Sequence, residues 1–232
     1  MRSFCRVVIV AFLLASPLLA ACGGGVRPTI SDPSPYRHED PTEYYLYLPQ
    51  AFQQGSRWPL FVGIHGAGGS GRDCWNAWQG YADAEGFVLL CPTITGDAGG
   101  WYLEEGERQL FPVIASVLRQ YTVHDKVFLA GFSAGGAFVN AVVMRYPKQF
   151  NGVAVLSAGA FYPPSGRARG VPFVVVVGER DHPLNVEEAR AFAAELEKSG
   201  FAVSLHVLPD VGHTLSDEAR QLTIELFRAV NR

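Results

Sequence analysis

Short apolar runs rich in β-branched residues alternate along most of this chain with longer amphipathic stretches of helical period. This alternation is typical of an α/β fold, a mainly parallel sheet with helices on both faces. A continuous apolar run such as 173–177 suits a central strand that is buried on both faces. The predicted strands are 44–48, 60–64, 87–91, 126–130, 152–156, 172–177 and 203–208, and the clearest helices are 110–120, 134–145, 186–198 and 217–229.

The composition restricts the classes of function that this chain can serve. The chain has 232 residues, of which 48% are hydrophobic, and a formal net charge of −3. That length and apolar content fit one globular domain with a sizeable core. No cluster of Lys and Arg offers the basic face that nucleic-acid binding requires, so nucleic acid is excluded as a partner.

The first residues have the pattern of an export signal. Arg2 and Arg6 supply a positive segment, residues 7–14 form an apolar centre, and small residues follow. The apolar stretch 7–21 is shorter than the roughly 20 residues that a membrane-spanning helix needs. We therefore expect residues 1–21 to be a signal peptide.

A lipid anchor is predicted at Cys22. The sequence Leu-Ala-Ala-Cys at 19–22 is similar to the bacterial lipobox, in which the chain is cut before the Cys and its thiol is acylated. Residues 22–42 are rich in Gly, Pro and Ser and predict a flexible tether to a hydrolase domain at 43–232. The protein is thus expected in the cell envelope, anchored to a bacterial membrane. The alternative is ordinary cleavage, with Cys22 as a spectator.

Two cysteines lie within the predicted domain. In an oxidising compartment Cys74 and Cys91 can form a disulfide, and the alternative is a pair of inert buried thiols. Two cysteines do not make a structural zinc site, and no metal or cofactor is implied elsewhere.

A nucleophile is indicated at Ser133. The motif Gly-x-Ser-x-Gly at 131–135 is weak by itself in a chain with 25 glycines. Here the apolar run 127–130 leads directly into the motif and a helical pattern follows at once. This order of strand, tight turn and helix exposes a serine hydroxyl at the carboxyl edge of a sheet.

A serine hydroxyl is almost wholly protonated at neutral pH and needs a general base. The histidines that follow Ser133 are His182, His206 and His213. His213 lies in a loop between the last predicted strand and the last helix, where the base is expected. His206 falls within a strand pattern and is interpreted as structural.

The carboxylate that orients the base is predicted to be Asp181. The run 177–181 leaves the Val-rich strand, and Asp181 stands where a loop can present its side chain to His213. Glu179 is the alternative, and His182 is interpreted as a neighbour of the acid.

The tetrahedral intermediate of acyl transfer needs two N–H donors for its oxyanion. Ala134, which follows the nucleophile, supplies one of them. The second is expected from the Gly-rich loop 65–69, with Ala67 as the predicted donor and Gly66 as the alternative. Trp101 and Tyr102 follow the strand that ends near residue 91, and either line the substrate pocket or pack the loop.

Together, these motifs resemble the α/β-hydrolase superfamily. The resemblance covers nearly all of residues 43–232 and is carried by His65-Gly66, the turn 131–136, Asp181 and Gly212-His213. Residues 212–216 resemble the phospholipase/carboxylesterase group, although Ala134 stands where that group often has Gln. Residues 125–131 and the lipoprotein signal also suit the feruloyl esterase and polyhydroxybutyrate depolymerase-like group.

The resemblance implies a serine carboxylic-ester hydrolase that works through an acyl-enzyme on small-molecule or polymeric esters. Many α/β-hydrolases insert a cap in the interval 157–171, which here is broken by prolines and glycines, so little or no cap is expected. A serine peptidase would use the same triad, but such relatives usually carry a large gating domain for which this chain has no room. A non-catalytic binding lipoprotein on this fold is the other alternative.

Overall fold

The computed structural model describes residues 42–95 and 103–232, together with a two-residue strand at Ile9–Val10. The strands are β1 (Ile9–Val10), β2 (Tyr44–Tyr47), β3 (Leu60–Ile64), β4 (Val88–Pro92), β5 (Val127–Phe132), β6 (Phe150–Leu156), β7 (Phe173–Gly178) and β8 (Val203–Leu208). The helices are α1 (Gly71–Glu85), α2 (Leu103–Gln120), α3 (Ala134–Arg145), α4 (Pro183–Lys198) and α5 (Asp217–Asn231), with 3₁₀ turns at Pro147–Gln149 and Gly166–Ala168.

The strands form one sheet in the order β1-β2-β4-β3-β5-β6-β7-β8. The two pairs that involve β2 are antiparallel, and every pair from β4 to β8 is parallel. Parallel neighbours need crossover connections. The α-helices supply them here except between β6 and β7, where the connection contains only the 3₁₀ turn Gly166–Ala168. The predicted fold class is therefore confirmed.

Helices cover both faces of the sheet. Alternate residues of β5 point to opposite sides, so that Val127 and Leu129 join the core beneath α2, α3 and α4. Phe128 and Ala130 join the core beneath α1 and α5. Because all four side chains are buried, β5 is a central strand, and the turn that follows it starts from a rigid base.

Two helices differ from the sequence prediction. Helix α1 was not among the clearest helical patterns, because its buried face consists of Gly71, Cys74, Trp78 and Ala82 and has no aliphatic stripe. Helix α2 begins at Leu103 instead of residue 110. Its first turns are polar, so hydrophobic periodicity did not reveal them.

The polar first half of α2 contains a buried carboxylate, Glu107, whose side chain is fully enclosed. Arg145 Nε lies 3.0 Å from Glu107 Oε1, and the Tyr146 hydroxyl donates to Oε2 at 3.0 Å. Burial raises the pKa of Glu107, against the lowering effects of Tyr146 and Arg145. This ion pair joins α2 to the end of α3.

A disulfide joins Cys74 on α1 to Cys91 on β4, with 5.8 Å between the two Cα atoms. Both residues are buried in the core on the α1 side of the sheet. The bond closes a loop with a sequence separation of 17 residues.

Replacing both cysteines by Ala is expected to lower the free energy of unfolding by about 3 kcal/mol, because the bond restricts the unfolded chain. Urea denaturation of the oxidised wild type and of the Cys74→Ala/Cys91→Ala variant measures the difference. Reducing the wild type with dithiothreitol should give most of the same loss, and equal midpoints in all three samples would contradict the prediction.

The described part of the interval 157–171 contains only the 3₁₀ turn Gly166–Ala168, so no helical cap covers the sheet edge there. Cys22, Trp101 and Tyr102 lie outside the described residues, as do the predicted signal peptide apart from β1 and the tether up to residue 41. Among the helices that the structure describes, none is both long and apolar enough to cross a membrane.

Candidate active site

Ser133 occupies a strained turn between β5 and α3. Its φ of 54° and ψ of −121° lie where residues other than Gly rarely occur, at a cost of roughly 1–3 kcal/mol. A Cβ at Gly131 would lie 2.1 Å from the carbonyl oxygen of Gly135, and one at Gly135 would lie 2.4 Å from that of His65. The two glycines are therefore required by close backbone contacts, and the Ser133 N–H donates to the Leu156 carbonyl at 2.8 Å.

The structure brings Ser133, His213 and Asp181 together. Ser133 Oγ lies 2.9 Å from His213 Nε2, and His213 Nδ1 lies 2.9 Å and 3.0 Å from the two oxygens of Asp181. A carboxylate can only accept, so Nδ1 carries the imidazole proton and donates to Asp181. Nε2 is then free to accept the Ser133 proton, as a general base must.

The loops of Asp181 and His213 meet at Gly178, the last residue of β7. A Cβ at Gly178 would lie 2.2 Å from the Val211 carbonyl oxygen, and the Arg180 N–H donates to that oxygen at 2.8 Å. Glu179, the alternative acid, is exposed, and one of its oxygens lies 3.4 Å from the backbone nitrogen of Asp210. In the structure, therefore, Asp181 lies beside His213, and Glu179 does not.

Asp181 has a fully buried side chain whose charge is met by several donors. Besides His213, its Oδ1 accepts from the His182 N–H at 2.6 Å and from Asn185 Nδ2 at 3.0 Å. Sequence reasoning missed Asn185. The signal that could have found it is its spacing: Asn185 follows Asp181 by four residues, directly before the predicted helix 186–198, and from there it can reach back to the carboxylate.

Replacing Asn185 by Ala is expected to lower kcat about tenfold, because a charged hydrogen bond contributes about 1.5–3 kcal/mol. The Ala side chain leaves Asp181 less firmly oriented towards His213. Steady-state kinetics on a p-nitrophenyl ester test this, with Asn76→Ala on the exposed side of α1 as the control. An unchanged kcat in the Asn185 variant would show that the other donors are enough to orient Asp181 towards His213.

The two predicted oxyanion donors lie on segments that border Ser133. Ala134 is the first residue of α3, so its N–H has no acceptor within the helix. The loop 65–69 closes with a hydrogen bond from the Gly69 N–H to the Gly66 carbonyl at 3.1 Å. A Cβ at Gly66 would lie 3.3 Å from Ser133 Cβ, so this loop passes directly beside the nucleophile, with Ala67 exposed next to it.

His65 fixes the shape of that loop. Its Nε2 accepts from the Ile94 N–H at 3.0 Å, so Nδ1 carries the proton and donates to the Gly66 carbonyl at 2.7 Å. Burial lowers the pKa of His65, against smaller raising effects of Gly66 and Asp73. A neutral His65 keeps both hydrogen bonds and so holds the loop 65–69 against the segment at Ile94.

Two cavities flank the nucleophile turn. A groove of about 570 Å³ adjoins Ser133 and Ala134, and a cavity of about 350 Å³ is lined by Gly66, Phe132 and Leu215. The groove has the size of a small-molecule site. In the part of the chain that the structure describes, no group of three or more His, Cys, Asp or Glu side chains could hold a metal ion.

A comparison with known protein families shows which family the chain that carries this site belongs to. The sequence profile described as "Dienelactone hydrolase family" matches residues 104–228, which is more than half of the chain and includes Ser133, Asp181 and His213. The chain belongs to the dienelactone hydrolase family. The resemblance to α/β-hydrolases and to the esterase groups among them is thereby confirmed, while the role of each site residue stays a prediction.

Two curated proteins are similar to about half of this chain. "Feruloyl esterase B" of Thermothelomyces thermophilus is 26% identical over 148 residues, 58% of this chain and 51% of that protein. "Carboxylesterase SOBER1" of Arabidopsis thaliana is 28% identical over 120 residues, 49% of this chain and 53% of that protein. The chain thus spans about half the length of these two relatives.

A solved structure shows the same fold. The LpqC poly(3-hydroxybutyrate) depolymerase from Bordetella parapertussis superposes with a TM-score of 0.65 at 19% sequence identity. The match covers 82% of this chain and 86% of that chain. At this identity the likeness concerns the fold, and the chemistry must be argued from the site.

Proposed function

We propose that this protein hydrolyses carboxylic esters through an acyl-enzyme formed on Ser133. The observation that carries the proposal is the unbroken chain of contacts from Ser133 Oγ to His213 and from His213 to the buried Asp181. A serine hydroxyl in this setting can lose its proton to His213 as it attacks.

The reaction follows from the geometry of these groups. Ser133 Oγ bonds to the ester carbonyl carbon while His213 Nε2 takes the hydroxyl proton, and Asp181 stabilises the resulting imidazolium. The oxyanion is met by the N–H of Ala134 and by that of Ala67 or Gly66. Collapse of the intermediate breaks the bond to the alcohol, which leaves with the proton from His213. A water molecule then repeats the sequence and releases the acid.

The relatives support an ester as the substrate, because those reported above are named as a feruloyl esterase and a carboxylesterase. The open sheet edge supports access for large or polymeric esters, since the described part of 157–171 provides no cap.

A fluorophosphonate probe and a panel of p-nitrophenyl esters test this function. We expect stoichiometric labelling of Ser133 and hydrolysis of the p-nitrophenyl esters. Absence of labelling would overturn the proposed enzyme activity. Cleavage of peptide anilides without cleavage of esters would favour the serine peptidase.

We also propose that the protein is exported and lipid-anchored at Cys22. The signal pattern and the similarity of residues 19–22 to a lipobox support this, and the Cys74–Cys91 disulfide suits an oxidising compartment. Palmitate labelling and membrane fractionation of the full chain and of Cys22→Ala test it. We expect the variant to lose both the label and the membrane fraction, and membrane retention without a label would refute the anchor.

A further inference from the structure

The groove beside Ser133 is mainly apolar, with one charged side chain among the described residues that line it. That side chain is Glu188 on α4. The neutral polar side chains of the lining are Ser133, Ser157, Tyr162 and Asn185. Of the lining that the structure describes, a substrate in this groove therefore meets a single formal charge, and that charge is negative.

Glu188 is held in place at the groove wall. Its Oε2 accepts a hydrogen bond from the Ala160 N–H, which ties the carboxylate to the loop after β6. A Cβ at Gly159 would lie 3.2 Å from that same oxygen, so the loop backbone packs closely against it. Among the described residues no Lys, Arg or His forms an ion pair with Glu188, so no partner cation cancels its charge.

The groove lies on the acyl side of the nucleophile. The leaving alcohol must receive its proton from His213, so it departs on the side of the His213 loop. Leu215 of that loop lines the smaller cavity, as does Phe132, whose ring centroid lies 5.2 Å from that of His213. No described residue of the His213 loop lines the groove, which leaves the groove for the acyl group.

The mouth of the groove exposes apolar surface. Among the residues that the structure describes, Tyr162 and Leu184 are the most exposed large hydrophobic side chains, at 40% and 52%, and both line this groove. Apolar side chains exposed at the mouth of a groove offer contact area to an apolar part of a ligand. The body of the acyl group is therefore expected to be apolar, and its contact with Leu184 brings it to α4, the helix that carries Glu188.

We propose that Glu188 is a specificity-determining residue that excludes acyl groups bearing a negative charge. The proposal rests on the proposed ester hydrolysis at Ser133. A groove of about 570 Å³ is only about 10 Å across, comparable to the screening length in physiological salt. An anionic acyl end is repelled throughout the groove, whereas a neutral end is not, and a cationic end is attracted.

Three p-nitrophenyl esters of equal chain length, ending in a methyl, a carboxylate or an ammonium group, test the proposal. For the wild type we expect kcat/KM to be about tenfold lower for the anionic ester than for the neutral one, because repulsion near a protein surface is partly screened. The Glu188→Gln variant keeps an oxygen that can accept from the Ala160 N–H. In this variant the ratio of kcat/KM for the neutral ester to kcat/KM for the anionic ester should fall towards one. Glu187→Gln, an exposed neighbour that does not line the groove, should keep the wild-type ratio.

The same comparison with alkyl fluorophosphonates, neutral or ending in a carboxylate, separates the two proposals. Labelling of Ser133 with a charge preference but without ester turnover would refute ester hydrolysis and retain the role of Glu188. Turnover of the neutral ester with equal rates for all charges, or an unchanged ratio in Glu188→Gln, would overturn the role of Glu188 alone. A wild type that reacts with neither ester nor probe would overturn both.

Discussion

The Ser133→Ala variant is expected to lose ester hydrolysis almost completely, with kcat lower by about 10⁴- to 10⁶-fold. The Ala side chain removes the atom that attacks the carbonyl carbon, and His213 cannot replace it from its position 2.9 Å behind that atom. What remains is the rate that oxyanion binding and proximity give to an attacking water. Kinetics on p-nitrophenyl acetate measure the initial burst, which reports acylation of Ser133, and the steady-state rate that follows it.

The loss should occur without unfolding, because the Ala residue keeps the N–H that donates to the Leu156 carbonyl. Relief of a strained serine is not expected, since Ala also disfavours a φ of 54°. Ser56→Ala, in an exposed turn before β3, is the control and should keep full activity. Residual kcat within tenfold of the wild type would refute Ser133 as the nucleophile.

The Asp181→Asn variant is expected to lower kcat by about 10³- to 10⁴-fold at neutral pH. Two donors, the His182 N–H and Asn185 Nδ2, point at the Oδ1 position, so the amide oxygen of the new Asn should occupy it. The amide nitrogen then faces His213 Nδ1 and donates to it. The imidazole proton is forced onto Nε2, where it blocks acceptance of the Ser133 proton.

The measurement is kcat for a neutral ester, with circular dichroism to establish that the variant is folded. Glu179→Gln changes a carboxylate two residues earlier that is exposed and does not contact His213, and its kcat should stay within about twofold of the wild type. A larger decrease of kcat in Glu179→Gln than in Asp181→Asn would show that Glu179, and not Asp181, is the carboxylate that orients His213.

Much of this architecture could be predicted because local pattern and topology agree. The Val-rich run that forms β7 is apolar on both faces, and a central parallel strand is the position in which both faces of such a run are buried. Ser133 was predicted from the order of strand, turn and helix, and Asp181 and His213 from their loops at the same sheet edge. These features depend on short stretches of sequence.

The sequence did not predict features that depend on long-range contacts. The polar start of α2 is held to the core through Glu107, which pairs with Arg145, the last residue of α3, and with the adjacent Tyr146. Glu188 became a groove residue only because the loop at Ala160 folds against it. In the sequence it is one of several acidic residues on an amphipathic helix, and nothing there distinguishes it from Glu187.

The Cys74–Cys91 bond also bears on how samples of this protein should be prepared. Helix α1 begins directly after the loop 65–69 and Ser70, so the bond fastens the element that follows the predicted oxyanion loop to β4. Protein made in a reducing cytoplasm lacks this fastening. We therefore expect specific activities from such preparations to be lower than those of oxidised protein, and the thiol content of each batch should be titrated before kinetic constants are compared.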